Sequence, residues 1–161
     1  MKKRSAKYAF IDSQNLNLGI QSQGWKLDFE KFRIYLNDKF KIDKAFLFIG
    51  YIPKYEKLYQ VLKKANYILV FKPTIESKQG EIKGNVDAEL VLHTMIELEN
   101  FDKAMIVSGD GDFHCLVQFL KKKNKLGRII IPNRKKYSSL YSKYKKYVFF
   151  LNDLKHKLAR G

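Results

Sequence analysis

Four aspartates carry the chemistry that is legible in this chain. Asp110 and Asp112 lie in Val107-Ser108-Gly109-Asp110-Gly111-Asp112-Phe113, directly after the apolar run Met105-Ile106-Val107. Asp12 ends an earlier apolar run, Tyr8-Ala9-Phe10-Ile11, and Asp87 opens a long helical pattern. Neighbouring carboxylates repel one another unless something offsets their charge, and a divalent cation does so directly. Three or four of them around one point form an all-oxygen site, which hard cations such as Mg²⁺ or Mn²⁺ prefer. Such an ion lowers the pKa of water and neutralises charge on a phosphoryl group, so phosphodiester hydrolysis is the matching chemistry. A second reading is that Asp110 and Asp112 only cap the following helix, where Asp is favoured, although one Asp suffices for a cap.

Polar neighbours fit the same picture. Asn15 can position water or phosphate, and Ser108 can hold a carboxylate from behind; turn and capping chemistry is the alternative for both. Lys83, in Lys83-Gly84-Asn85-Val86-Asp87, can contact phosphate or stand as a solvated loop lysine. The histidines do not cluster. His114 adjoins the acids as a candidate proton shuttle, His93 falls on a helix expected to lie deep, and His156 is near the end of the chain. No histidine–carboxylate spacing supports zinc. Cys115 is the only cysteine, so neither an intramolecular disulfide nor a cysteine metal site can form, and it is expected to be buried filler. The chain has no G-x-G-x-x-G, no G-x-x-x-x-G-K-[ST] and no G-x-S-x-G. A haloacid-dehalogenase-like phosphatase needs Asp-x-Asp after the first strand, and Asp12-Ser13-Gln14 lacks the second acid.

The elements that must position these residues alternate. Apolar runs at 8–11, 44–50, 67–71, 105–107, 126–131 and 147–151 read as strands, nearly continuous in apolar character as in a parallel sheet covered on both faces. Helical spacing recurs in 27–36 (with Asp28 as N-cap), 55–65, 86–98 and 113–120, and a short helix is expected at 138–144. Residues 13–17 read as a polar turn, and 72–84 as a loop or small hairpin. The alternation argues for one three-layer α/β domain over 1–161 with a mostly parallel sheet. In such a sheet all strand carboxyl ends share one edge, where ligands bind. Asp12, Asp110 and Asp112 meet there if the first and fourth strands are neighbours. Asp87 joins them if its helix begins at that edge.

Charge is unevenly distributed. Residues 121–161 hold 14 Lys or Arg and one acid, Asp153, which places most of the net +16 in the last quarter of the chain. A bias toward Lys, Asn, Ile, Phe and Tyr would explain many lysines but not their clustering. A basic surface of this size favours a polyanion, most often nucleic acid. From about residue 133 the segment carries Arg134, Lys135, Lys136, Tyr137, Tyr141, Lys143, Tyr144, Lys145 and Lys146. Its tyrosines either stack on bases while the lysines follow the backbone or pack a terminal helix and strand. No run is long and apolar enough to span a membrane, and no signal-like core follows the basic start, so a cytoplasmic location without a membrane partner is expected.

Three motifs together resemble NYN domains, a branch of the PIN-like nuclease superfamily. Phe10-Ile11-Asp12-Ser13-Gln14-Asn15 is similar to their D-x-x-N start, Lys83-Gly84-Asn85-Val86-Asp87 to their K-G-x-x-D helix start, and Val107–Phe113 to their S-G-D-x-D-F signature. The resemblance runs from about Tyr8 to Pro132. It implies a PIN-like fold with sheet order 3-2-1-4-5 and helices on both faces, and a Mg²⁺- or Mn²⁺-dependent endoribonuclease acting on single-stranded or structured RNA, DNA being the less favoured substrate. By motif match Asp12, Asp87, Asp110 and Asp112 are the metal-binding acids, and Asn15 is the family's polar position. His93 stands where many bacterial relatives carry an Asp. PIN-like domains often pair, which leaves a homodimer through the Tyr-rich segment open. Two other readings remain: a non-catalytic RNA-binding module with the same fold, and a toxin-like nuclease controlled by a partner protein.

Overall fold

A computed structural model describes residues 5–76, 82–83 and 85–161. In chain order the elements are β1 (Lys7–Asp12), α1 (Ser13–Gln21), α2 (Phe29–Phe40), β2 (Lys44–Tyr51), α3 (Glu56–Lys64), β3 (Tyr67–Pro73), β4 (Ile75–Glu76), β5 (Ile82–Lys83), α4 (Asp87–Ile96), β6 (Lys103–Val107), α5 (His114–Lys122), β7 (Leu126–Ile131), β8 (Val148–Phe150) and α6 (Lys155–Leu158). Six strands form one parallel sheet in the order β3-β2-β1-β6-β7-β8. The first five follow the order that the family resemblance implies, and β8 adds a sixth at the edge. β4 and β5 pair antiparallel as the small hairpin expected within 72–84; residues 77–81 and 84 of that stretch lie outside the described residues.

Alternation along the central strands divides the core. Ala9, Ile11, Leu47, Met105 and Val107 pack on one face with Leu16 and Ile20 of α1 and with Phe32 and Leu36 of α2. Tyr8, Phe10, Phe46, Phe48 and Ile106 face the other way, against Leu90 of α4 and Leu116, Val117 and Leu120 of α5. Burial of each of the Val, Leu, Ile, Met and Phe side chains contributes about 1.5–3 kcal/mol, which makes the sheet a firm base for its edge loops. Phe10 and Phe46 stack at 5.3 Å with ring planes 4° apart. Among the described residues no helix is long and apolar enough to cross a membrane.

Several expectations need correction. Residues 13–17 are the first turns of a helix, because Asp12 accepts the Asn15 N–H as N-cap and Leu16 and Ile20 recur at helical spacing against the core. α4 is not deep: Leu90 and Thr94 are buried, but Leu92 and Ile96 are each 62% exposed, since one face alone meets the sheet. Cys115 is exposed, because it faces away from the Leu116–Val117–Leu120 stripe. Tyr141 and Tyr144, at 0% and 5% exposure on a 3₁₀ turn (Ser139–Tyr144), belong to the core, so the packing alternative holds for both.

Candidate metal centre

Strand register brings the acids to one place. β1 and β6 are parallel neighbours with Ile11 opposite Val107, so Asp12 and Ser108 emerge side by side at the carboxyl edge. The Asp12 carboxylate is 5% exposed, accepts the Asn15 N–H at 3.2 Å through Oδ1, and lies 3.4 Å from the Ser108 hydroxyl through Oδ2. Ser108 Oγ also accepts the Asp110 N–H at 3.1 Å. Asn15 Oδ1 accepts the Gly109 N–H at 2.9 Å, tying α1 to the β6 turn. α4 begins at this same edge, and Asn85 Oδ1 accepts the Asp87 N–H at 2.8 Å. As a result Asp12, Asp87 and Asp110 each offer a carboxylate oxygen, and the three oxygens lie within 4.8 Å of one another.

Asp112 stands at the rim. It is exposed, its N–H is accepted by Asp110 Oδ1 at 2.9 Å, and its carboxyl group neighbours that of Asp87. The capping reading is therefore also correct for Asp110, which opens the 3₁₀ turn Gly111–Phe113 while contributing to the cluster. Burial pushes the Asp12 carboxyl above its ordinary range, the Asp110 charge adds to this, and the Asn15 N–H and Ser108 hydroxyl oppose it. Asp87 is raised to about 6, first by burial and then by Asp112, Asp110 and Asp12. Both shifts are what burial beside like charge produces, and a nearby positive charge would oppose them. Among the described residues the cluster holds three carboxylates and no sulfur or imidazole donor, a set that suits Mg²⁺ or Mn²⁺, and these side chains fit such an ion.

Two residues that the sequence did not tie to the acids complete the turn. The Tyr141 hydroxyl donates to the Asp110 carbonyl at 2.6 Å, and burial raises its pKa. The Ser138 N–H donates to the Gly109 carbonyl at 3.0 Å. The available signal was Gly109 and Gly111 flanking Asp110: a Cβ on Gly111 would sit 2.5 Å from Ser138 Oγ. The basic segment is thus folded onto the acidic turn. Gly111→Ala is expected to destabilise the protein by about 1–3 kcal/mol through this overlap. Adding Ser138→Gly should recover much of that loss in urea unfolding, whereas additive losses would place the strain elsewhere. Tyr141→Phe should lower stability by about 1–2 kcal/mol in the same assay, because the Asp110 carbonyl loses its donor.

The other residues singled out from sequence fall in several places. Lys135, Lys136 and Tyr137 follow Pro132 at the acidic edge, where Lys136 shares a small cleft with Asn15, Gly19 and Asn133. Tyr137 packs on Phe150 with 5.4 Å between rings. Arg134 is paired with Asp153 at 2.6 Å and lies over the Phe150 ring. Lys143 and Lys145 are exposed, and Lys146 lines a groove at the opposite edge. The Lys83 side chain lies outside the described residues. His93 packs against Phe46 and Phe48, and His114 against Tyr144. Next to the acids, Ser13, Gln14, Asn17, Phe48, Thr74 and Val86 help line a cleft of about 250 Å³.

A parallel sheet with an acidic, all-oxygen centre on its carboxyl edge defines a PIN-like α/β domain. The chain belongs to the NYN domain family, whose model matches residues 8–152. A solved structure of a protein of unknown function from Vibrio parahaemolyticus has the same fold: 21% identity, a TM-score of 0.76, and coverage of 98% of this chain and 99% of that one. A PLP-bound putative aminotransferase from Clostridium difficile aligns at 13% identity over 85% of this chain and 42% of its own, but its TM-score of 0.36 carries no structural argument. None of the curated proteins compared with the chain matches it.

Proposed function

We propose that this protein is a Mg²⁺- or Mn²⁺-dependent endoribonuclease with Asp12, Asp87 and Asp110 as its metal-holding residues. The observation that carries this reading is the convergence of those three carboxylates within 4.8 Å at the carboxyl edge of β1 and β6. Membership of a PIN-like family supports nucleic acid as the substrate class, and the net charge of +16 supports it independently. When bound, the cation supplies positive charge for the developing phosphoryl charge and lowers the pKa of water.

The protein's own groups divide the remaining work. Asp12 is the fixed member, buried and held by the Asn15 N–H beside the Ser108 hydroxyl. Asp110 is set by the Ser108 hydroxyl and by Tyr141, both acting on its backbone. Asp112, exposed, and the half-buried Asp87 beside it orient the attacking water, whose proton Asp112 takes at a carboxylate oxygen. Lys135 and Lys136 flank the edge and meet the RNA backbone. Lys83, Lys143 and Lys145 extend that contact. A homodimer and a single domain over 1–161 belong to the same proposal.

The test is cleavage of a labelled single-stranded RNA with Mn²⁺ or Mg²⁺. Cutting that EDTA abolishes and that Asp110→Asn loses supports the reading. Binding without cutting in the parent protein, unchanged in the variant, points instead to a non-catalytic RNA-binding module.

A further inference from the structure

The acidic centre leaves a basic groove at the opposite edge of the sheet unexplained. This groove lies where β1, β6 and β7 begin, encloses about 410 Å³, and takes Lys7, Lys39, Lys103, Arg128 and Lys146 from five separate parts of the chain. The rest of its lining is aromatic, aliphatic, amide or glycine, with no carboxylate. A concave surface of one sign concentrates field and favours an anion over bulk solvent.

Strand geometry assembles three of these cations on one face. Lys7 and Lys103 are half-buried and register-paired across β1 and β6. Like charges placed opposite each other on paired strands oppose the pairing. Among the described residues Lys103 Nζ bonds to neutral oxygens, the Asn124 carbonyl at 2.8 Å and its Oδ1 at 3.3 Å. Asp43 and Asp102 lie just outside the lining and offset part of this charge, each accepting a backbone N–H, from Lys7 at 2.9 Å and from Ala6 at 2.7 Å.

Arg128 reaches the same face through a bulge. In a regular strand Leu126 and Arg128 would share a face. Here Leu126 pairs with Ala104 and Arg128 with the next residue, Met105, so Gly127 is an extra residue between them. Leu126 accordingly packs in the core on one side of the sheet and Ile130, two positions beyond Arg128, in the core on the other. Bulges re-aim side chains in this way. A Cβ at position 127 would lie 2.6 Å from Met105 Sδ and 3.1 Å from the Ala104 carbonyl, so the device requires glycine.

We infer that this groove seats the sugar–phosphate backbone of an RNA strand at the edge opposite the acidic centre. The choice of RNA rests on the nuclease reading above. β1, which joins the two edges, has six residues and spans about 16 Å. The substrate class is therefore long or folded RNA that extends well past the cut, since a short oligonucleotide engages one edge only. Tyr147 beside Lys146 gives the groove the ring-and-cation lining used by single-strand channels.

The test is binding of a labelled RNA of about 30 nucleotides, read by fluorescence anisotropy in EDTA across a salt series, so that cleavage plays no part. The parent is compared with the triple variant Lys7→Gln, Lys103→Gln, Arg128→Gln, and with Arg128→Gln alone in case the triple variant does not fold. The expected result is a salt slope shallower by about 2 in the triple variant and by about 0.7 in the single one, with at least about ten-fold weaker binding for the triple. Metal-dependent cutting of a trinucleotide, which at about 3.4 Å per stacked nucleotide is shorter than the span between the edges, should be unchanged. Folded variants with the parent's affinity and slope would overturn the groove. Displacement of the RNA by pyrophosphate alone would replace a strand with a small phosphate compound and also overturn it. RNA held through the groove yet never cut would support this inference and sink the nuclease reading; RNA cut normally with an unchanged salt slope would do the reverse.

Discussion

Replacing Asp12 by Asn is expected to reduce metal-dependent RNA cleavage by more than the about 10–100-fold that loss of an outer partner of a metal ligand brings. The fold should survive. Asn is as good an N-cap as Asp, so α1 keeps its cap to the Asn15 N–H. The substitution also removes a charge that burial and Asp110 already disfavour, so the melting temperature without metal should hold or rise. Asp110→Asn should behave similarly, because its side chain also caps the turn through the Asp112 N–H. Asp112→Asn, at the exposed rim, should reduce turnover less than either. Single-turnover rates beside melting curves separate these outcomes: a variant that loses activity together with its fold would not support the assignment.

The second large effect concerns Asp87 and pH. Its folded-state pKa is about 6 against an ordinary value of 3.8, so between about pH 4 and 6 the folded protein binds more protons than the unfolded one. Stability without metal therefore falls as pH rises through that window: the penalty is absent below about 4 and complete above about 6. Because Asp87 is partly open to solvent, solvent screening reduces the penalty to about 1–2 kcal/mol. Asp87→Asn should remove it, and the gap between parent and variant in urea unfolding should widen from pH 4 to pH 7 with the variant the more stable. Mn²⁺ should reverse the order at pH 7. At about 100 times its dissociation constant it stabilises the parent by about 2.7 kcal/mol, and the variant by much less. Lowering the pH to 5 should weaken Mn²⁺ binding, since protons and metal compete for the same oxygens. A parent whose melting temperature ignores Mn²⁺ at pH 7 would contradict this account.

Much of this architecture was legible in the sequence because burial on both faces leaves an unmistakable mark. Runs such as Lys44–Gly50 can hardly be anything but central strands. The acidic cluster was legible for a related reason: two acids at the ends of apolar runs are more than capping requires, so Asp12 and Asp110 stood out, although each also caps the turn or helix that follows it. What was missed depended on long-range contacts. Ser13–Asn17 looks like a turn because its polar residues hide Leu16 and Ile20, and only the Asp12 cap and the neighbouring sheet settle the helix. α4 looks deep from composition, yet which of its apolar residues meets the sheet is decided by docking. Tyr141 and Ser138 could not be tied to Asp110 from a distance of about 30 residues, although the glycines beside Asp110 announced a close neighbour. The basic segment shows the limits of charge alone: Arg134 is engaged by Asp153, Tyr141 and Tyr144 are core, and Lys146 turns to the far edge of the sheet.

The most direct test of the central claim is Mn²⁺ titration of the purified protein against labelled single-stranded RNA, with EDTA and Asp110→Asn as controls. The account predicts cutting that rises with Mn²⁺, stops with EDTA and is lost in the variant while RNA binding persists. Cutting that survives both EDTA and Asp110→Asn would show that the three carboxylates are not the catalytic centre.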